Sequence, residues 1–132
     1  MRNKYLFFTL LLAMVFTLNI YATERKKYNF NSDWCLQVGD TPTAKNPDFD
    51  DKAWKRVTLP HAFNEDEAFR LSIEQHTDTV VWYRKHFTLK DIKGKKVFVE
   101  FEGVRQAGEF YLNGQYLGLH ENGVMAVGFD LT

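Results

Sequence analysis

Phe110-Tyr111-Leu112-Asn113-Gly114-Gln115-Tyr116-Leu117 decides the fold of this chain. Two apolar-rich segments flank an Asn-Gly pair. A two-residue type I′ turn needs positive φ at both central positions, which asparagine and glycine tolerate best. The stretch therefore predicts an antiparallel hairpin over residues 109–119. Upstream, residues 96–102 alternate, with Val97, Val99 and Phe101 on one face and Phe98, Glu100 and Glu102 on the other. That period of two marks a strand with one buried face. Downstream, the His120-Glu121-Asn122-Gly123 connection leads into a further strand over 124–129. Earlier strands are expected over 34–38 and 56–59, the second stopped by Pro60. Residues 80–89 place Val81, Tyr83, Lys85 and Phe87 opposite Trp82, Arg84 and His86, and apolar character on both faces predicts a central strand. Pro42 and Pro47 keep the intervening stretch irregular. Residues 48–54 are expected to close as one helical turn capped by Asp48 or Asp50, with Phe49 and Trp54 plugging the end of the fold. Aromatic residues make up 16% of the chain and many lie in such alternating runs, which favours an all-β sandwich over a helical bundle.

The first residues carry a different signal. Arg2 and Lys4 precede an apolar run from Leu6 to Leu18, which ends near the small residue Ala22. This is the pattern of a secretory signal peptide over residues 1–22, and the run is too short for the roughly 20 residues that cross a bilayer. Export to the periplasm or the extracellular space is the expectation, with no membrane attachment after cleavage. The remaining residues, 23–132, make one domain of roughly 110 residues. The whole chain balances 17 basic against 17 acidic residues, and no basic block exceeds Arg25-Lys26-Lys27, so nucleic acid is not an expected partner. A single cysteine, Cys35, cannot form an internal disulfide and reads as a small buried hydrophobe.

Residues 61–78 form the longest stretch without strand periodicity, and they gather Asn64, Glu65, Asp66, Glu67, Arg70, Glu74, His76 and Asp78. Long polar loops on a rigid sandwich are where binding residues collect. Asn64, Glu65 and Asp66 offer directional hydrogen bonds to hydroxyl groups, and Phe63 or Phe69 a face for stacking. His61, Glu65, Asp66 and His76 match no compact metal-ligand spacing, so neither metal nor cofactor is expected. Ser32 and Ser72 are the only serines and neither sits in a nucleophile elbow. Glu100 and Glu102 share a strand face, but nothing adjacent would separate their acidities into acid and base roles, so no catalytic residue is assigned.

Asn31-Ser32-Asp33-Trp34, Trp54, Val57, Leu59-Pro60-His61, Trp82-Tyr83-Arg84-Lys85, Phe101-Glu102-Gly103-Val104 and Asp130-Leu131-Thr132 occur in one order that resembles the N-terminal sugar-binding domain of glycoside hydrolase family 2, with the β-galactosidase branch nearest. The resemblance implies a jelly-roll-like, galactose-binding-domain-like antiparallel β-sandwich. It implies that the segment after Leu59-Pro60-His61 extends toward a catalytic (β/α)₈ barrel, with Asn64, Glu65 and Asp66 near the sugar. It also implies that the acid/base and nucleophile glutamates lie in that barrel. Family members continue past the Asp-Leu-Thr motif, so the sequence is expected to hold an incomplete sandwich whose partners are a β-galactoside or related glycan and the C-terminal domains of the same enzyme. The alternative is a free-standing, lectin-like carbohydrate-binding module.

Overall fold

The computed structural model describes residues 25–72 and 78–132. The leader expected over 1–22 lies outside them, as do Glu74 and His76. Among the described residues seven strands run in order: β1 (Trp34–Val38), β2 (Lys55–Val57), β3 (Val81–Arg84), β4 (Phe98–Phe101), β5 (Gly108–Leu112), β6 (Gln115–His120) and β7 (Val127–Asp130). A 3₁₀ turn at Pro42–Lys45 and a single helical turn, α1 (Glu65–Ala68), sit in the connections. All strand pairings are antiparallel, and the all-β expectation is met. Among the described residues no helix is long and apolar enough to cross a membrane.

The hairpin forms where the Asn-Gly pair predicts it, with Leu112 opposite Gln115. Asn113 and Gly114 have φ of 50° and 82°, the signs a type I′ turn requires. Farther along, Phe110 pairs with Gly118 while Tyr111 pairs with Tyr116, which leaves Leu117 as the extra residue of a β-bulge.

The first sheet is ordered β2-β1-β3. Trp34 pairs with Val57 on one side of β1, and Cys35 with Arg84 on the other. Both faces of β1 are covered. Trp34 and Leu36 join Val57 in one buried cluster, against which Phe30, Leu59, Phe63, Val81, Tyr83 and Phe101 pack. Cys35 faces the opposite way, into a cluster with Ala44 and Trp54 that Phe49 and Trp82 complete. The two-faced central strand is therefore β1. The segment 80–89 was expected in that place, but only Val81–Arg84 is strand, and among the described residues it pairs along one edge. The Trp82 and Arg84 face is covered by the loop between β1 and β2 and by Tyr111 of β5, whose ring stacks on Trp82 at 6.2 Å between centroids.

The other strands pair as β4-β7 and β5-β6. In β4, Val99 and Phe101 turn inward while Phe98 and Glu100 are exposed, as the alternation predicts. A file of rings joins the sheets: Trp34 to Phe101 at 6.2 Å, Phe101 to Phe110 at 5.0 Å, and Phe110 to Phe129 at 4.8 Å between centroids. Such tilted and edge-on contacts add about 0.5–1.5 kcal/mol each beyond the area they bury. At Gly118, a Cβ would stand 3.3 Å from the Phe129 ring, so the bulged strand passes close to this file at a residue without a side chain.

The helical turn expected at 48–54 is absent. The ordered turn instead falls at Pro42–Lys45, where proline occupies the first turn and needs no amide partner. Asp50 does accept a backbone bond, from the Lys52 amide at 3.1 Å, and Phe49 packs edge-on against Trp54 at 5.5 Å.

Candidate functional site

Two polar constellations stand out on the first sheet, and only one of them coincides with the loop singled out by sequence. That loop leaves β2 through Leu59 and Pro60. The Tyr83 hydroxyl hydrogen-bonds His61 Nδ1 at 3.0 Å, and the two rings lie edge-on at 6.1 Å. Phe63 then packs into the Trp34 cluster, so of the two phenylalanines proposed for stacking it is unavailable; Phe69 is 90% exposed. Between them the backbone closes α1: the Glu67 and Ala68 amides donate to the Asn64 carbonyl at 3.0 and 3.2 Å. Asn64 occupies the N-cap position, but its side chain makes no capping bond. Glu65, Asp66 and Glu67 occupy the first turn, where the exposed helix amides favour negative charge.

Asn64, Glu65 and Asp66 are thus brought onto one short turn, with Asn64 half-buried and Glu65 and Asp66 exposed. Among the described residues, Asp66, Glu67, Arg70 and Leu71 line an open depression beside this turn. Burial, and then the charge of Glu65, push the pKa of the Tyr83 phenol above its ordinary value. Among the described residues no three His, Cys, Asp or Glu side chains are placed to hold a metal ion, and His76 lies outside them. Glu100 and Glu102 are both exposed.

The second constellation was not anticipated. Asp51 is 6% exposed. Its Oδ2 accepts from Arg84 Nε at 2.9 Å and lies 2.7 Å from His86 Nε2. Arg84 also donates to the Ala44 carbonyl and to the Asn46 carbonyl, the latter at 3.0 Å, and its guanidinium lies over the Phe49 ring. Burial by itself pushes the Asp51 carboxyl up, but the hydrogen bonds from His86 and Arg84 outweigh it and hold the group below the usual carboxylate range. The guanidinium contacts of Arg84 just named all fall in the 44–51 loop, so this constellation fastens that loop to β3. Sequence offered one signal for it: Arg84 shares a face with Trp82, and a cation on an aromatic face that becomes buried requires a counter-charge.

Lys85 is engaged in a similar way, donating to the Ser32 carbonyl and lying 4.9 Å from the centre of the Phe30 ring. Tyr83, Arg84 and Lys85 therefore tie neighbouring segments to β3, whereas the Trp82 indole N–H is buried without a hydrogen-bond partner among the described residues.

No family model matches the chain. Among curated proteins, a β-glucuronidase of Formosa agariphila is 43% identical over 121 residues, which cover 86% of this chain and 12% of that protein. A β-galactosidase of Thermoanaerobacter pseudethanolicus is 39% identical over 109 residues, covering 82% of this chain and 14% of that protein. Among solved structures, a β-glucuronidase from glycoside hydrolase family 2 superposes with a TM-score of 0.78 at 40% identity, over 85% of this chain and 13% of its own. Both enzyme names occur among the matches, so the galactosidase branch is not singled out. The chain spans about an eighth of the length of the curated relatives it matches. By sequence and by fold it belongs to glycoside hydrolase family 2, matching a fragment of that family's much longer members.

Proposed function

We propose that this chain is the sugar-binding and scaffolding β-sandwich of an exported family 2 glycoside hydrolase that removes terminal β-linked sugars, a glucuronide or a galactoside. The observation that carries this reading is the asymmetry of the matches. More than four-fifths of the chain aligns with about an eighth of enzymes named for β-glycoside hydrolysis. Retaining glycosidases place two carboxyl groups about 5–5.5 Å apart, and we assign that pair to a barrel outside these residues. The sandwich then supplies a rigid wall, and the loop over 60–72 lends Asn64, Glu65 and Asp66 to the sugar hydroxyls, with Phe69 exposed beside them. The leader-like residues 1–22 support passage to the periplasm or beyond.

The test starts from the source DNA past the Thr132 codon, followed by hydrolysis of chromogenic β-glucuronide and β-galactoside. A longer product that turns over one of them, beside a 132-residue chain that turns over neither, is the expected result. Saturable glycan binding by a chain followed at once by a stop codon would replace this reading with the lectin-like module.

A further inference from the structure

Two short basic runs lie far apart in the chain. Arg25-Lys26-Lys27 opens the described residues, and Lys90, Lys93, Lys95 and Lys96 crowd the connection between β3 and β4. The fold brings both runs to the β4-β7 pair. The connection turns at residues 92–95, where the Lys95 amide donates to the Ile92 carbonyl at 2.9 Å and Gly94 takes a φ of 72°. From there the chain enters β4, whose exposed face carries Phe98 and Glu100, opposite Asp130 and Gly128 of β7. Lys96 reaches the same face, since its Nζ donates to Asp130 Oδ2 at 2.8 Å. Arg25 comes against this face from the other run: with Phe98, Glu100 and Gly128 it lines one open depression. Gly128 contributes no side chain there, and Phe98 is 61% exposed.

The charges on this face do not cancel. Residues 25–27, 90–101 and 127–130 hold seven basic side chains against three acidic ones, Asp91, Glu100 and Asp130, although the chain as a whole is balanced. Asp130 is engaged by Lys96 and by the Thr132 amide. Lys90, Lys93 and Lys95 are exposed and make no ion pair among the described residues. We propose that this face, from the turn at 92–95 along β4 to Arg25, binds an acidic polysaccharide, a sugar polymer carrying carboxylate or sulfate groups. Lysines act as mobile point charges, which suits anionic groups repeated along a flexible chain. The Phe98 ring set among them offers an apolar surface to a sugar ring. From Lys96 to Glu100 the strand runs about 13 Å, enough for more than one ring. The choice of a sugar polymer rests on the proposed function; the patch itself stands on geometry and charge.

The experiment is affinity electrophoresis of the 132-residue chain through native gels holding polygalacturonate, heparin or neutral dextran. Retardation by an acidic polymer and none by dextran is expected, weakening about tenfold or more between about 50 and about 200 mM salt as counterions compete. Lys93→Glu with Lys95→Glu is expected to weaken it about tenfold or more. Lys45→Glu with Lys55→Glu makes the same charge change on exposed residues next to β1 and on β2, and is expected to alter it less than about threefold, because salt screens distant charges. Phe98→Ala is expected to weaken retardation at unchanged salt dependence. Retardation by polygalacturonate supports carboxylate as the group recognised, and by heparin alone sulfate. No retardation, equal effects of the two lysine pairs, indifference to Phe98→Ala, or tighter binding to phosphatidylglycerol vesicles or single-stranded DNA than to either polysaccharide would each overturn the proposal. Chromogenic monosaccharide glycosides offer no polymer to this face, so failure of the longer enzyme to hydrolyse them would remove the proposed function while leaving retardation by polysaccharide in place.

Discussion

Asp51→Ala removes the acceptor that Arg84 and His86 share. Residue 51 is 6% exposed and the Arg84 side chain 12%, so the pair is shielded from water on both sides. Deleting one member of a buried pair costs about 3–5 kcal/mol, because the surviving charge is left without its partner. Here the Ala44 and Asn46 carbonyls still accept from Arg84, which puts the loss at the lower end, about 3 kcal/mol. The His86 side chain is 58% exposed, and its bond adds little to that figure. A domain of this size has about 5–15 kcal/mol in total, and each kcal/mol moves Tm by about 4–8 °C, so a fall of about 12–24 °C is expected. Urea unfolding followed by the fluorescence of Trp34, Trp54 and Trp82 measures it as a lower midpoint at unchanged slope. A loss below about 1 kcal/mol would refute the reasoning, since it would mean that water reaches the pair. The pH dependence has a definite sign. The folded carboxyl titrates below its ordinary value of 3.8, so the unfolded chain binds more protons in that window. Asp51 therefore contributes fully above that ordinary value, and the contribution disappears as pH falls through the lowered one. The alanine variant should lose this acid-side slope.

Three further outcomes are expected. Gly114→Ala places a Cβ 3.3 Å from Pro47 Cδ at a φ of 82°, and should cost about 1–2 kcal/mol in the same urea assay; no loss would show that the turn can change type. Cys35 is fully buried, and burial, followed by the Asp51 charge, pushes its thiol above the ordinary value, so a thiol reagent should label it only through unfolding, at least about a thousandfold more slowly than in urea. Rapid labelling in native buffer would contradict that packing. Asp130, held at about 2 by Lys96 at 2.8 Å and then by Thr132, should titrate by NMR nearer 3.8 in Lys96→Ala, and an unmoved value would assign the shift to Thr132 alone.

Local chemistry made much of the fold readable. Asn113-Gly114 carries its turn type in its two residues, and the Val97, Val99, Phe101 alternation carries its buried face, because both signals are complete within a few positions. The segment 80–89 was harder. Its two apolar faces say only that both are covered, and sequence cannot tell a covering sheet from a covering loop. Asp51 was hidden for a related reason: it sits among Asp48 and Asp50, and its partner Arg84 is 33 residues away. Phe63 and Phe69 are chemically alike and six positions apart. Tertiary contact with the Trp34 cluster alone separates the buried one from the exposed one.

The strand pairings also set an order of events during folding. β5 and β6 meet across two residues, and a hairpin of that span closes in about 1–10 μs. By contrast, β1 must find β3 across a separation that reaches 49 residues between Cys35 and Arg84, and loop entropy must be met before those contacts return anything. The Asn113-Gly114 hairpin is thus the early element. The first sheet, with the polar loop it carries, is assembled late, around a strand that both of its neighbours must reach from a distance.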